Sequence, residues 1–305
     1  MVILTDGVVI GLRALSFVAV LAAAGAGVFV TLFGRALEGS LDAVRTRSEL
    51  TAVAALVLEL GYYLLIPARL GGSFGAAFDP TLAALLAESS VGPAHAVRFA
   101  GLGVLLVSFG LDERSRLQTA GCVLGAALVV GSFLVTGHTT IHPWRLVLAP
   151  LLLVHLTTAA FWFGSLWPLA LVAADETPAL AASILRRFST LAVRAVPLLG
   201  LCGAAMALIF IRSFDELMTG YGALVLVKAG GYTALLGLAA LNRLRLLPAI
   251  ASARPDAVRT FRRVVAAEWA LIALVVIATA LMTELFAPEN LHASFAEDHD
   301  EDANP

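Results

Sequence analysis

The chain has little charge, little cysteine and little methionine, and each shortage excludes a class of protein. Only 14% of its 305 residues are charged, whereas soluble domains average roughly 25%. Its two cysteines exclude a disulfide-built fold, and its four methionines exclude a methionine-rich copper box. It has no basic cluster of the kind that binds nucleic acid, so no nucleic-acid partner is expected. Because P-loop, dinucleotide and His-Glu-x-x-His motifs are missing, we do not expect an enzyme.

The sequence is instead dominated by long apolar runs. Hydrophobic residues make up 60% of the chain, and its mean hydropathy is +0.92. A membrane-spanning helix needs about 20 apolar residues, and the runs do not alternate as barrel strands do. The sequence therefore predicts an all-α, polytopic bundle of eight transmembrane helices in the lipid bilayer. The predicted spans are about 8–34, 49–66, 93–111, 117–136, 145–172, 190–212, 222–246 and 262–286.

The basic residues predict how the bundle is oriented. Fourteen arginines flank one set of loops, and six basic residues lie on the opposite side. Because cytoplasmic loops carry the excess of Lys and Arg, both termini are expected on the outer side of an inner or cell membrane. The long outer connection between the second and third predicted spans is expected to contain an interfacial helix near 79–88.

The spans divide into two membrane halves, followed by a tail. We expect an N-terminal four-helix half over 1–136 and a C-terminal half over 137–286. The tail 287–305 is acidic, has no Lys or Arg, and is predicted to be disordered. Such a tail is either a solvated end or a loose site for cations.

Four ionisable residues fall within the predicted spans, where they are costly and therefore candidates for function. Glu59 and His155 are predicted near mid-depth. Lys228 and Glu268 lie about two turns from a span end, from which their side chains can extend to the interface. A structural alternative is that Lys228 neutralises a buried acid such as Glu59, while Asn242 bridges helices.

The histidines and methionines of the outer half suggest a metal site. His138 and His142 are four residues apart at the outer mouth and share one face if this stretch is a helical turn. His155 follows on the next span, and Met206 and Met282 add sulfur. Imidazole together with thioether suits copper, and thioether selects Cu(I) in particular. Structural polar contacts remain the alternative for these residues.

Paired histidines also allow a haem interpretation. His138 or His142 together with His155 are candidate axial ligands for haem b. Such a haem would be bound non-covalently, because the sequence has no Cys-x-x-Cys-His attachment motif. The protein would then be a membrane electron carrier.

Several motifs in the second half resemble those of one family. They are Arg187-Phe188-Ser189, Thr219-Gly220-Tyr221-Gly222 before Leu226-Val227-Lys228, Ala240-Leu241-Asn242-Arg243-Leu244-Arg245-Leu246-Leu247-Pro248, and His155-Leu156 before Phe161-Trp162-Phe163-Gly164. With these motifs, residues 137–286 resemble the copper resistance protein D (CopD) family of inner-membrane proteins.

The resemblance implies a role in copper resistance and homeostasis. It implies that copper ions cross the inner membrane with the help of a CopC-type periplasmic carrier, which is expected here to be a separate protein. It also implies that His138, His142 and His155 are copper ligands and that Trp162 lines the same region. Lys228 and Asn242 are motif positions without an assigned role. A scaffold that delivers copper without transporting it remains an alternative.

Overall fold

A computed structural model describes residues 2–136, 142–211 and 215–285, with only the backbone described at 2–5, 216, 284 and 285. His138 and the acidic tail 287–305 lie outside these residues. Within the described part, the regular structure is helical and contains no β-strand, as the all-α prediction requires. The helices are α1 Val2–Phe33, α2 Leu41–Leu70, α3 Pro80–Glu88, α4 Val91–Phe109, α5 Arg116–Gly131, α6 Arg145–Asp175, α7 Pro178–Phe210, α8 Gly220–Leu241, α9 Leu247–Ala251 and α10 Ala257–Leu285.

Among the described residues, eight helices are long and apolar enough to cross a membrane, which confirms the predicted number of spans. The protein is thus a multi-pass membrane protein. The second span begins at Leu41 and the sixth at Pro178, about two and about three turns earlier than expected. The helices continue past the apolar run because arginine stems can lie along them while the charged heads reach water. A shorter helix, α3, is found where the sequence predicted one.

Helix α1 is central to the bundle, since it packs against α2, α5, α6 and α10. Its closest approach to α6 is at Gly25. A Cβ added to Gly25 would lie 1.8 Å from the carbonyl oxygen of Ala160, and one added to Gly164 would lie 2.5 Å from the Gly25 Cα. Small residues permit such backbone contact where lipid provides no hydrophobic drive for association. The contact between α1 and α6 therefore joins the two predicted halves of the chain.

Glu176 joins the halves again, between the end of α6 and the start of α7. Its carboxylate accepts hydrogen bonds from the backbone N–H groups of Glu38, Gly39 and Ser40 at 2.9, 3.0 and 3.0 Å. The Ser40 hydroxyl donates a fourth at 2.6 Å. Burial alone would raise the pKa of Glu176, but these bonds to the ionised form outweigh burial and lower it.

We expect Glu176→Gln to destabilise the protein by about 1.5–3 kcal/mol, because the amide loses charge-assisted hydrogen bonds. The lowered pKa stabilises the folded protein above the carboxyl pKa of the unfolded chain, about 4.3, and this stabilisation is lost as the pH falls further. Thermal midpoints in detergent should therefore differ at neutral pH and converge in acid. Glu38→Gln is the matched control, because the exposed Glu38 lies in the contacted turn. Equal midpoints for the two variants at neutral pH would contradict the prediction.

Candidate functional site

Glu59 of α2 is 1% exposed and is surrounded by polar groups from neighbouring helices. The Ser16 hydroxyl on α1 donates to its Oε2. On α4, Arg98 Nη1 donates to Oε1 at 2.6 Å. His95 Nδ1 also lies 2.8 Å from Oε1, at ion-pair distance but without a well-aligned hydrogen bond. Arg98 Nε donates in turn to the hydroxyl of Ser132 at 3.0 Å, just beyond α5.

Aromatic rings enclose this ion pair. The Arg98 guanidinium carbon lies 4.1 Å from the centroid of the Phe133 ring. The His95 ring has its centroid 5.6 Å from that of Tyr62 and 5.0 Å from that of Tyr63. Both oxygens of the Glu59 carboxylate have partners, so the network fixes α1, α2, α4 and the end of α5 relative to one another.

The expectation that Lys228 neutralises Glu59 is therefore wrong. The cationic partners of Glu59 are Arg98 and His95, which are three residues apart and so share one face of α4. Arg98 is one of the six basic residues assigned from the sequence to the outer side, so its pairing with Glu59 was missed. The available signal was the combination of a mid-depth acid with Arg and His at that helical spacing.

His155 lies in the second half, where α6 contacts α7. Its Nδ1 is 3.1 Å from the carbonyl oxygen of Leu199. A carbonyl can only accept, so Nδ1 carries the proton and Nε2 of the neutral ring keeps a free lone pair. Gly203 leaves space for the ring, since a Cβ there would lie 3.2 Å from the His155 Cε1. Lys228 of α8 is near enough to act electrostatically on this imidazole.

His142 is described just before α6, where it lines a cavity. Its Nδ1 accepts the backbone N–H of Trp144 at 3.1 Å, and its ring lies edge-on to Phe210 with centroids 5.5 Å apart. Accepting that bond places the proton of a neutral ring on Nε2. To bind a metal ion, the ring must therefore change tautomer or give up the bond. The cavity, of about 430 Å³, is lined by His142, Trp144, Val147, Leu208 and Ile209.

The two imidazoles lie at different levels of α7. His155 contacts the helix around Leu199 and Gly203, whereas His142 contacts Phe210. Seven residues separate Gly203 from Phe210, which is about 10 Å along a helix. The two rings therefore contact α7 about two turns apart. In the described ranges, no three His, Cys, Asp or Glu side chains form a group that could hold a metal ion.

Met206 lies between these two levels. Gly203, Met206 and Phe210 follow an i, i+3, i+7 pattern, which places them on one face of α7. Because His155 and His142 contact the first and last of these residues, the half-buried Met206 occupies the face between them. The side chains of His142, Met206 and His155 thus lie along one face of α7, and we call these three residues the α7 stripe.

Two other predicted residues are placed in the packed interior. Trp162 is 3% exposed and belongs to the main hydrophobic core. Met282 of α10 is 9% exposed. Neither Trp162 nor Met282 has a hydrogen bond or ring contact with the described histidines.

Asn242 bridges helices, as the structural alternative anticipated. It begins a π-helical turn, Asn242–Leu246, and its Nδ2 donates to Glu268 Oε1 of α10 at 2.8 Å. Glu268 is 2% exposed. The expected extension of Glu268 to the interface is therefore wrong.

Comparison with known proteins gives two family matches. Residues 4–143 match the family described as copper resistance protein D-like, N-terminal domain, and residues 182–282 match copper resistance protein D. The copper transport protein CutJ of Bacillus subtilis (strain 168) is 32% identical over 266 residues, which cover 80% of this chain and 46% of CutJ. The chain thus spans about half the length of this curated relative. No solved structure matches.

Proposed function

The chain belongs to the copper resistance protein D family, and from this premise we propose that it transports copper ions across the membrane that its eight helices span. Its role in membrane copper handling follows from the family and from the similarity to CutJ. The observation that supports movement of the ion is the α7 stripe, in which two imidazoles contact one face of α7 and the thioether of Met206 lies on that face between them.

We further propose that copper enters at the His142 end. The basic residues are concentrated at the opposite end of the bundle, which the positive-inside rule assigns to the cytoplasm. Both termini and the His142 cavity would then face outward, where a separate CopC-type carrier would supply copper. His142 would receive the ion by giving up its bond to Trp144.

The stripe has donor chemistry suited to a moving monovalent ion. Thioether and imidazole together favour Cu(I), and the free lone pair on His155 Nε2 is available for coordination. The Leu199 carbonyl orients that ring, as hydrogen bonds to metal-ligating histidines commonly do. The positive charge of Lys228 would weaken retention of a cation at His155, and conduction requires sites that release the ion as well as bind it.

We expect His155→Ala to lower Cu(I) uptake into proteoliposomes by at least about tenfold, equivalent to about 1.4 kcal/mol. Chelator competition should show a parallel loss of affinity. The matched control is Thr158→Val, one turn further along α6, because its hydroxyl bonds only to its own helix at the Val154 carbonyl. Wild-type uptake by a folded His155→Ala protein would refute the proposed pathway.

The same preparation distinguishes the alternatives. Copper binding without flux in wild-type vesicles would indicate a delivery scaffold in place of a transporter. A haem absorption band in the purified protein would indicate the electron carrier.

A further inference from the structure

Glu268 is a buried carboxyl that the α7 stripe does not use. It is 2% exposed within the span Ala257–Thr283, and its polar partner is the neutral side-chain amide of Asn242. A carboxylate deep in a membrane protein is costly without a cation beside it. Glu59 shows the contrast, since it bonds to Arg98 and contacts His95.

The charged and titratable groups around Glu268 do not neutralise it. Helix α10 packs against α1, α6, α8, α9 and the π-helical turn. Within the described residues, no cationic group of these elements is at ion-pair distance from Glu268. The titratable and charged residues of these elements are Asp6, Arg13, Arg145, His155, Asp175, Tyr221, Lys228, Tyr232, Arg243, Arg245, Arg259, Arg262 and Arg263.

Known contacts place several of these cations elsewhere. Arg13 Nη2 donates to Thr283, fifteen residues along α10 from Glu268, or about 22 Å. Arg243 donates to Ser189 of α7. Lys228 precedes Asn242 by fourteen residues of α8, about 21 Å.

Asn242 supplies an independent observation. Its Nδ2 is used by Glu268 Oε1, but its Oδ1 is buried and has no hydrogen-bond partner. An unsatisfied buried acceptor costs about 1–3 kcal/mol. A planar amide and a planar carboxyl that share the Nδ2–Oε1 bond can close a second bond between Oδ1 and Oε2, and that bond needs one hydrogen. A proton on Oε2 provides it.

We propose that Glu268 holds an exchangeable proton inside the membrane, donated from Oε2 to Asn242 Oδ1 to form a closed acid–amide pair. Release of this proton to water leaves a carboxylate and an orphaned amide oxygen, so the pair opens. The π-helical turn at Asn242 fits such a site, since π-turns occur frequently at functional positions. If copper is transported as proposed above, the charge gained at Glu268 would offset one positive charge of the cation. That coupling rests on the proposed function, but the proton site does not.

Labelling with dicyclohexylcarbodiimide tests the site directly, because the reagent adds to the O–H of a protonated, lipid-accessible or buried carboxyl. On the purified full chain at about pH 7, peptide mass analysis should find the adduct on Glu268 at least about tenfold above that on Glu59. Glu59 is the internal control, as an equally buried acid that is ion-paired. Labelling of Glu268 should fall as the pH rises. An unlabelled Glu268, or equal labelling of Glu268 and Glu59, would overturn the proposal.

Infrared difference spectra give a second readout that needs no reagent access. The carbonyl band of a protonated carboxyl should disappear in Glu268→Gln and persist in Glu59→Gln. Persistence of the band in a folded Glu268→Gln protein would also overturn the proposal. Copper flux separates the two proposals. Labelling of Glu268 without copper binding would retain the proton site and reject copper transport. Copper flux in a protein without a protonated Glu268 would support copper transport and reject the proton site.

Discussion

Replacement of Arg98 by methionine is expected to destabilise the protein by about 3–5 kcal/mol, the cost of breaking a buried ion pair at one partner. Methionine fills much of the arginine volume, so the loss is mainly electrostatic. Glu59, at 1% exposure, would keep its contacts with Ser16 and His95 but lose the bond to Arg98 Nη1. The midpoint of thermal unfolding in detergent should fall sharply.

Two comparisons make the Arg98 result specific. The double variant Arg98→Met with Glu59→Gln should recover much of the lost stability, because neither charge is then buried without its partner. Arg45→Met is the surface control, since Arg45 is exposed, pairs with Glu49 at 3.2 Å and donates to the Gly110 carbonyl at the end of α4. We expect it to cost at most about 1 kcal/mol. An Arg98→Met midpoint equal to that of Arg45→Met would contradict the interpretation of Glu59 as a structural ion-pair centre.

The double variant also separates structure from transport. If copper is transported as proposed and Glu59 only fixes the N-terminal helices, the folded double variant should keep the Cu(I) affinity and flux of the wild type. In the α7 stripe, His142 lies just before α6, His155 on α6 and Met206 on α7. Glu59 and Arg98 lie on α2 and α4. A specific loss of copper flux in a stable double variant would assign Glu59 to the ion pathway.

The fold could be predicted from the sequence because lipid imposes a simple rule on length and polarity. Apolar runs located all eight described spans, although Leu41 and Pro178 begin helices earlier than hydropathy alone indicates. A search for apolar runs does not detect the charged helical turns at the ends of spans. To predict where such a helix begins, its N-cap residue must be recognised. At the start of α7 this residue is Thr177, whose hydroxyl accepts the Leu180 N–H.

The partners of the buried polar residues could not be predicted from the sequence. Glu59, His155, Lys228 and Glu268 were recognisable from their depth, but which helices are neighbours is decided by three-dimensional packing. Glu59 thus pairs within the N-terminal half, and Asn242 bonds to Glu268 across twenty-six residues. The tautomer preferences of His142 and His155 likewise depend on the Trp144 N–H and the Leu199 carbonyl.

Gly25→Ala is expected to destabilise the protein about as much as Arg98→Met, although it adds only one methyl group. The new Cβ would lie 1.8 Å from the Ala160 carbonyl oxygen. Since that atom belongs to the backbone of α6, no side-chain rotation relieves the clash, and α1 and α6 must separate. We expect a cost above about 3 kcal/mol, at the high end for overpacking.

The matched control for Gly25→Ala is Gly103→Ala in α4, where an added Cβ has nothing within 4 Å. Removing a helical glycine there should be neutral or stabilise by up to about 1 kcal/mol. Gly164→Ala meets the same contact from α6, so the Gly25→Ala and Gly164→Ala costs should not add in the double variant. Ala160→Gly should fail to rescue Gly25→Ala, because the obstructing oxygen remains. Equal thermal midpoints for Gly25→Ala and Gly103→Ala would show that the two halves are not held together by this backbone contact.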